Sequence, residues 1–222
     1  MRRFNTKPRP LAWVILGGFF ISASASWAAA PPEAASCIAC HGADGMGNAA
    51  AGYPRLAGLP AQYLADQLHY FADGTRNNAI MSGMAKPLTA TQVTALAAYY
   101  AQLKPSGKLA PMPTGAAATE GERLALRGDW NKGIPACIRC HGPGAIGVGA
   151  NFPPLVGQSA AYIEAQIKAW KDGSRRGDPL GMMHTVALRM TDAQTQDVAQ
   201  WLAAQPLTLS KSTSGKTTSA KP

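Results

Sequence analysis

The chain has 222 residues, 46% of them hydrophobic, and a formal net charge of +9 from 21 basic and 12 acidic residues. Much of this excess is terminal, because four basic residues lie in residues 1–28 and three lysines lie in the last twelve residues. The region between these ends is only mildly basic, which argues against a nucleic-acid-binding protein.

Residues 1–28 have the pattern of a secretory signal peptide. A basic head is followed by an apolar run over residues 11–21 and by small residues ahead of Ala28. This predicts export to the periplasm and cleavage after Ala28. The alternative is an uncleaved membrane anchor, because residues 11–30 carry no charge and are just long enough to span a bilayer. No other stretch of the sequence is predicted to cross a membrane.

The sequence motif C-x-x-C-H occurs twice, at residues 37–41 and 137–141. It is the signature of covalent haem c attachment, in which two thiols bond to the haem and the adjacent histidine binds the iron. We therefore predict two covalently bound haem c groups. The predicted attachment cysteines and iron ligands are Cys37, Cys40 and His41 for the first haem, and Cys137, Cys140 and His141 for the second.

Other roles of paired cysteines fit the sequence less well. A zinc site needs four converging nitrogen or sulfur ligands, and the two motifs lie 100 residues apart without a further Cys or His pattern. A thioredoxin-like dithiol or a structural disulfide does not require a histidine directly after the second cysteine, yet one follows twice. Haem attachment is the interpretation that uses all of these residues.

The chain contains an internal duplication. Residues 54–58 and 153–157 share the pattern Pro-x-Leu-x-Gly at an offset of 99, and the similarity continues through residues 63–76 and 162–175. Only two units are present, so they are duplicated domains and not a solenoid. The predicted organisation is a signal peptide at 1–28, domains at 29–104 and 119–208, a linker at 105–118 and a disordered tail at 209–222.

Both units are predicted to be helical, so the fold class is all-α. An apolar stripe at positions i, i+4 and i+7 recurs in both, and Asp-Gly ends each of these helices. The last helix of each unit begins at a Thr-x-x-Gln capping box. A further helix, opened by Thr119-x-x-Glu122, precedes the second C-x-x-C-H motif, whereas residues 29–36 allow little more than a turn before the first. The stripes are Leu64, Leu68 and Phe71, and Ile163, Ile167 and Trp170; the boxes are Thr89–Gln92 and Thr191–Gln194.

The second axial ligand of each iron is predicted from the repeat. Met81 lies eight residues before Thr89, Met183 lies eight before Thr191, and no other methionine has a methionine as its counterpart. Both are expected in the loop that precedes the last helix of their unit. His184 is the main competitor at the second iron, but its counterpart in the first unit is a serine. A His/Met pair saturates the iron and raises its potential, which suits one-electron transfer.

The carbonyls of two prolines are predicted to support the ligating histidines. Such a histidine usually donates its other ring N–H to a carbonyl, which fixes its orientation. Pro54 and Pro153 follow the two haem motifs at matching positions, so we expect them to accept from His41 and His141.

These features together resemble the dihaem cytochrome c4 family, which has two class I cytochrome c domains in tandem. The resemblance spans the mature chain to about residue 206 and rests on the two haem motifs, the Pro-x-Leu-x-Gly segments, the Tyr-x-x-x-Gln helices and the two matched methionines. It implies Met81 and Met183 as the second iron ligands, and domains packed about a pseudo-twofold axis with facing haem propionates. The short segment before Cys37 departs from the family pattern.

The predicted function is that of a periplasmic dihaem c-type cytochrome that passes single electrons between redox partners, from an electron-donor complex towards a terminal oxidase. We expect a monomer that turns over no substrate, with loose membrane association allowed. The alternative is a dedicated electron-transfer subunit of a membrane or periplasmic dehydrogenase or oxidase complex. A dihaem peroxidase fits least well, because that chemistry needs an open iron.

Overall fold

The structure, a computed structural model, describes residues 29–105 and 116–205. The predicted signal peptide, most of the predicted linker and the predicted tail lie outside the described residues. Within the described ranges the elements are helices and turns, without strands, which confirms the all-α prediction. No helix in these two ranges is long and apolar enough to cross a membrane.

The described helices fall into two units, and the second unit repeats the order of the first after one additional helix. In the first unit they are α1 (Ala34–His41), α2 (Ala61–Ala72), α3 (Ala79–Ala85) and α4 (Ala90–Gln102). In the second unit they are α5 (Glu120–Arg127), α6 (Ile138–His141), α7 (Ala160–Lys171), α8 (Met182–Arg189) and α9 (Asp192–Ala204). The C-x-x-C-H histidine is the last residue of α1 in the first unit and of α6 in the second.

The predicted capping boxes are present at the start of α4 and α9. Thr89 Oγ1 accepts the Gln92 backbone N–H at 3.3 Å, and the Gln92 side chain accepts the Thr89 backbone N–H at 2.9 Å. Thr191 and Gln194 repeat both bonds. Each box satisfies backbone donors that a helix start otherwise leaves without partners, so it sets where the last helix begins.

Helix α5 is capped by Thr119, as predicted, but Glu122 does not bond back to Thr119 to complete a capping box. Thr119 Oγ1 accepts the Glu122 backbone N–H at 3.1 Å, whereas the Glu122 carboxylate accepts from Ala118 N–H at 2.7 Å and not from Thr119. Helix α5 lies close against α9, since a Cβ added at Gly121 would be 2.1 Å from the Asp197 carbonyl oxygen. This glycine allows the two helices their short separation.

The first unit has only a turn at residues 32–33 before α1, as predicted. One contact of the missing helix is nevertheless preserved. Gln92 Nε2 donates to Glu33 Oε1 at 2.9 Å, just as Gln194 Nε2 donates to Glu120 Oε1 at 3.3 Å in the second unit. The acid ahead of each haem motif therefore contacts the last helix in both units.

The prediction that Met81 and Met183 lie in loops is wrong. Met81 lies in α3 and Met183 in α8, each a helix of seven or eight residues. The Asn78 side chain accepts the Met81 backbone N–H at 2.9 Å and so caps α3. Such short helices are unstable alone and exist here because they pack on α2 and α7. They are too short to produce an apolar periodicity that can be recognised in the sequence.

Each unit has its own hydrophobic core beside its haem motif. The stripe predicted on α7 lies in or against the core of the second unit. Leu64 of the α2 stripe lies in the core of the first unit, and Leu68 and Phe71 line the adjoining cavity, so each stripe occupies one face of its helix as predicted. The largest buried members in the first unit are Leu59, Leu64, Leu96 and Tyr100, and in the second Leu124, Ile134, Val156, Ile163, Ile167, Val198 and Leu202.

The two units meet through the turns that follow α2 and α7. Arg76 and Arg175 form an antiparallel β-bridge. On either side of it, Asn77 N–H donates to the Ser174 carbonyl at 2.7 Å and Arg176 N–H donates to the Thr75 carbonyl at 2.8 Å. Equivalent residues thus contact each other across the interface, as in a pseudo-twofold arrangement.

Candidate haem sites

In the first unit, the predicted haem residues line one cavity of about 480 Å³. His41 is 5% exposed, and its Nδ1 lies 2.9 Å from the Pro54 carbonyl oxygen. Met81 of α3 lines the same cavity. The remaining wall is largely apolar and includes both cysteines of the motif together with Leu64, Leu68, Phe71 and Leu96.

The second unit repeats this arrangement around a cavity of about 420 Å³. His141 is 6% exposed, and its Nδ1 lies 2.8 Å from the Pro153 carbonyl oxygen. Met183 of α8 and the cysteines Cys137 and Cys140 line this cavity. The hydrogen bond expected between each histidine and the proline carbonyl is therefore present in both units.

The environment of both histidines suits an iron ligand. Burial lowers the pKa of His41 and of His141, and this effect outweighs the opposing effect of the hydrogen bonds to Pro54 and Pro153. The imidazoles are therefore neutral at pH 7. With the proton held on Nδ1 by the carbonyl, Nε2 carries the lone pair that iron requires.

The first cysteine of each motif lacks the lowered pKa of a redox-active thiol. All four are free in the structure. Burial is the main cause that raises the pKa of Cys37, and it raises the pKa of Cys137 to about 11. A redox-active dithiol has a lowered thiol pKa, so the thioredoxin-like alternative is not supported. In the described residues, no group of three or more His, Cys, Asp or Glu side chains is placed to hold a metal ion.

The competing ligand candidates lie elsewhere or lack a counterpart. His184 is exposed, and its Nδ1 lies 2.7 Å from the Trp170 carbonyl oxygen. It does not line the second cavity, whereas Met183 does. Met84, Met182 and Met190 also line the cavities, but none has a methionine as its counterpart in the other unit. Met84 and Met182 are each 37% exposed, and Met190 is packed in the core of the second unit.

Buried polar atoms without partners show that the cavities fit a haem. Among the described residues, four side-chain atoms are buried without a hydrogen-bond partner, namely Arg55 Nε, Tyr100 Oη, Trp170 Nε1 and Arg175 Nε. All four residues line one of the two cavities or both. Such groups are costly unless a partner is supplied. A haem combines an apolar macrocycle with two carboxylates, so it matches both the apolar wall and these donors.

Three of the polar residues at the cavities were missed by the sequence analysis as functional candidates. Arg55, Arg76 and Arg175 are 2%, 6% and 4% exposed, respectively. Burial lowers the pKa of Arg55 to about 10, and its guanidinium donates to the Ala57 and Val156 carbonyls. The repeat did contain a signal, because Asp-Gly-Thr/Ser-Arg recurs in both units and aligns Arg76 with Arg175.

Comparisons with known proteins agree with this geometry. The model of the family described as "Cytochrome c" matches residues 32–104, and that described as "Cytochrome C oxidase, cbb3-type, subunit III" matches residues 116–202. The chain is 82% identical to the "Thiosulfate dehydrogenase electron acceptor" of Thiomonas intermedia strain K12. The alignment covers 97% of this chain and 100% of that relative.

Two solved structures are similar to the described fold. A thiosulfate dehydrogenase (TsdBA) from Marichromatium purpuratum aligns with a TM-score of 0.70 at 44% identity, covering 77% of this chain and 36% of that chain. Reduced recombinant cytochrome c4 from Pseudomonas stutzeri aligns with a TM-score of 0.68 at 33% identity, covering 78% of this chain and 95% of that one.

Two haem motifs, each with a buried histidine at an apolar cavity, define a dihaem c-type cytochrome. More particularly, the chain belongs to the dihaem cytochrome c4-like family, with two tandem cytochrome c domains and two covalent haem c groups. Its activity is electron transfer, and it is a carrier of electrons and not a catalyst of substrate turnover.

Covalent attachment has a direct consequence for the mass of the protein. The denatured holoprotein should weigh the polypeptide plus two haems, because thioether bonds survive unfolding. The double variant Cys137→Ala, Cys140→Ala should retain one haem mass, and the matched variant Cys37→Ala, Cys40→Ala should retain the other. Electrospray mass spectrometry measures this. Two haem masses in either double variant would contradict the assignment of the motifs.

Proposed function

We propose that this protein is the electron acceptor of a thiosulfate dehydrogenase, holding one electron on each haem and passing it on to a further redox partner. The observation that carries the proposal is 82% identity, over the whole length of the relative, to a thiosulfate dehydrogenase electron acceptor. The similarity to part of a thiosulfate dehydrogenase (TsdBA) chain supports it further. These relatives favour the alternative predicted from the sequence, a dedicated subunit of a dehydrogenase, over a general respiratory carrier.

We infer that His41 and Met81 hold the first iron and that His141 and Met183 hold the second. In each unit the histidine and the methionine line one cavity, the histidine from the end of α1 or α6 and the methionine from α3 or α8. When bound, the haem supplies an iron that cycles between Fe(III) and Fe(II) by one electron. Two side-chain ligands leave no open coordination position, which suits outer-sphere transfer.

Backbone carbonyls orient the histidines, and apolar side chains keep water away from the haem sites. The Pro54 and Pro153 carbonyls hold the proton of each histidine on Nδ1 and fix the plane of the ring. The apolar walls of the two cavities lower the local dielectric and limit the rearrangement of solvent that accompanies each electron.

The proposed domains are residues 29–104 and 119–208, and the proposed location is the periplasm, with residues 1–28 as the cleaved leader.

The donor can be tested by mixing experiments. With catalytic amounts of a thiosulfate dehydrogenase, thiosulfate should reduce both haems of this protein, seen as the rise of the ferrous c-type absorbance bands. Thiosulfate alone should not. The rate should fall at high salt if charged groups steer the encounter. Failure of the dehydrogenase to reduce the protein, together with rapid reduction by a membrane quinol-oxidising complex, would overturn the proposed donor and favour the general carrier.

A further inference from the structure

The interface between the two units contains two buried guanidinium groups whose side-chain hydrogen-bond partners are glutamines and tyrosines and include no carboxylate. The Arg76 guanidinium donates to Gln67 Oε1 at 2.9 Å in its own unit, and to Tyr162 Oη and Gln166 Oε1, both at 2.6 Å, in the other unit. Its Cζ lies 4.3 Å from the centroid of the Phe71 ring. None of these groups is a carboxylate. Burial of Tyr162 acts to raise its pKa, but the charges of Arg76 and Arg175 outweigh this effect and lower it.

Arg175 makes the reciprocal set of contacts. It donates to Gln166 Oε1 at 3.0 Å in its own unit, and to Tyr63 Oη at 3.1 Å and Gln67 Oε1 at 2.9 Å in the other unit. Its Cζ lies 4.0 Å from the centroid of the Trp170 ring. Each glutamine therefore accepts from both arginines, and each tyrosine reaches across the interface.

Two cations in such a place require an anion. No carboxylate of the described residues forms an ion pair with either guanidinium, although four ion pairs exist elsewhere in these ranges. Burial and the charge of Arg76 lower the pKa of Arg175. Moving a charge from water into the protein interior without a counter-charge costs several kcal/mol of folding free energy. Two such charges side by side also repel each other.

The two haem cavities lie on either side of this pair. Arg76 lines the cavity of the first unit, and Arg175 lines the cavities of both units. Arg175 Nε is one of the buried donors without a partner. Each haem carries two carboxylates, so anionic groups would enter both cavities together with the haems.

We propose that Arg76 and Arg175 form a cationic pair that neutralises haem carboxylates from both units, and that this pair couples the two reduction potentials and joins the units once both haems are in place. The inference rests on the two haem sites and not on the identity of the electron donor. Both arginines are positioning residues, because they act on the irons through the haem carboxylates and not by direct contact.

The test compares Arg175→Gln, Arg76→Gln and the matched control Arg176→Gln. Arg176 also bridges the units, since it donates to the Gly74 carbonyl at 3.1 Å, but it is exposed and lines neither cavity. Positive charge near a haem favours Fe(II), so its removal lowers the potential. In a potentiometric titration, we expect Arg175→Gln to lower both potentials, Arg76→Gln to lower mainly that of the first haem, and Arg176→Gln to change neither.

Two further measurements separate this role from a structural one. Arg175→Lys keeps the charge but loses the fixed, forked hydrogen bonds of the guanidinium group. Both reduction potentials should therefore stay close to those of the original protein, even if the free energy of unfolding falls. The shifts should also persist in high salt, because buried charges are poorly screened. Unchanged potentials in both glutamine variants, with unfolding alone affected, would overturn the proposal. If Arg175→Gln does not bind haem, the Arg76→Gln and Arg175→Lys titrations decide the outcome.

Discussion

Replacing Met183 by alanine is expected to remove half of the near-infrared charge-transfer band of the oxidised protein. This weak band arises from an Fe(III)–thioether bond, so two equivalent sites should contribute about equally. The potential of the second haem should fall by an amount on the order of 0.1 V or more, because axial ligands set haem potentials over a range of about 0.8 V. Absorption spectroscopy and a potentiometric titration measure the two effects.

Two neighbours of Met183 serve as controls. Met182 lines the same cavity but is 37% exposed and has Ile80 as its counterpart in the first unit, so Met182→Ala should leave the band intact. His184→Ala should also leave it intact, because His184 faces the Trp170 carbonyl. Loss of the band in His184→Ala with its retention in Met183→Ala would mean that histidine holds the second iron.

The same experiment applies to the first unit with a different control. Met81→Ala should remove the other half of the band and lower only the first potential. Met84 lines that cavity as well, yet it is 37% exposed and its counterpart in the second unit is a valine. Met84→Ala should therefore change neither the band nor the potentials.

Gly121→Ala is expected to destabilise the second unit by about 2 kcal/mol. The new Cβ would lie 2.1 Å from the Asp197 carbonyl oxygen and 3.0 Å from Trp201 Cβ, so α5 must move away from α9. Overpacking of this kind costs about 1–3 kcal/mol, and here the close contact is to backbone, which cannot rotate aside. The better helix propensity of alanine offsets about 1 kcal/mol at most.

The three tryptophans after residue 28 make this effect measurable. Trp130, Trp170 and Trp201 all lie in the second unit, so the fluorescence change on denaturant unfolding reports on that unit. Gly83→Ala in α3 of the first unit is the control, because a Cβ there meets nothing within 4 Å, and it should leave the unfolding transition of the second unit unchanged. Equal stability of Gly121→Ala and the original protein would show that α5 does not pack against α9 as described.

The sequence by itself determined the features that depend on neighbouring residues. The C-x-x-C-H motifs specify haem attachment because the thiols and the histidine must lie within one turn of chain. The capping boxes of α4 and α9 were predictable because each bond joins residues three positions apart. The carbonyls of Pro54 and Pro153 could be anticipated because the two prolines are matched in the repeat and lie 13 and 12 residues after the histidines of the two motifs.

Other features depend on contacts between residues far apart in the chain, and only the tertiary structure decided them. Met81 and Met183 were selected from the repeat, but their helices form through packing on α2 and α7, so a loop was the wrong prediction. The close approach of α5 and α9 follows from one glycine and a carbonyl 76 residues away. Nothing local to Gly121 distinguishes it from an ordinary helical glycine.

The burial of Arg76 and Arg175 is the clearest example of a feature that the sequence alone could not predict. In the sequence, Arg76 and Arg175 are charged residues after a helix, a position that is usually solvated. Their burial depends on tyrosines and glutamines of the opposite unit, 86 to 112 positions away. Whether a charge is exposed or buried is a property of the assembled interface, because desolvation depends on all surrounding groups and not on the chain neighbours alone.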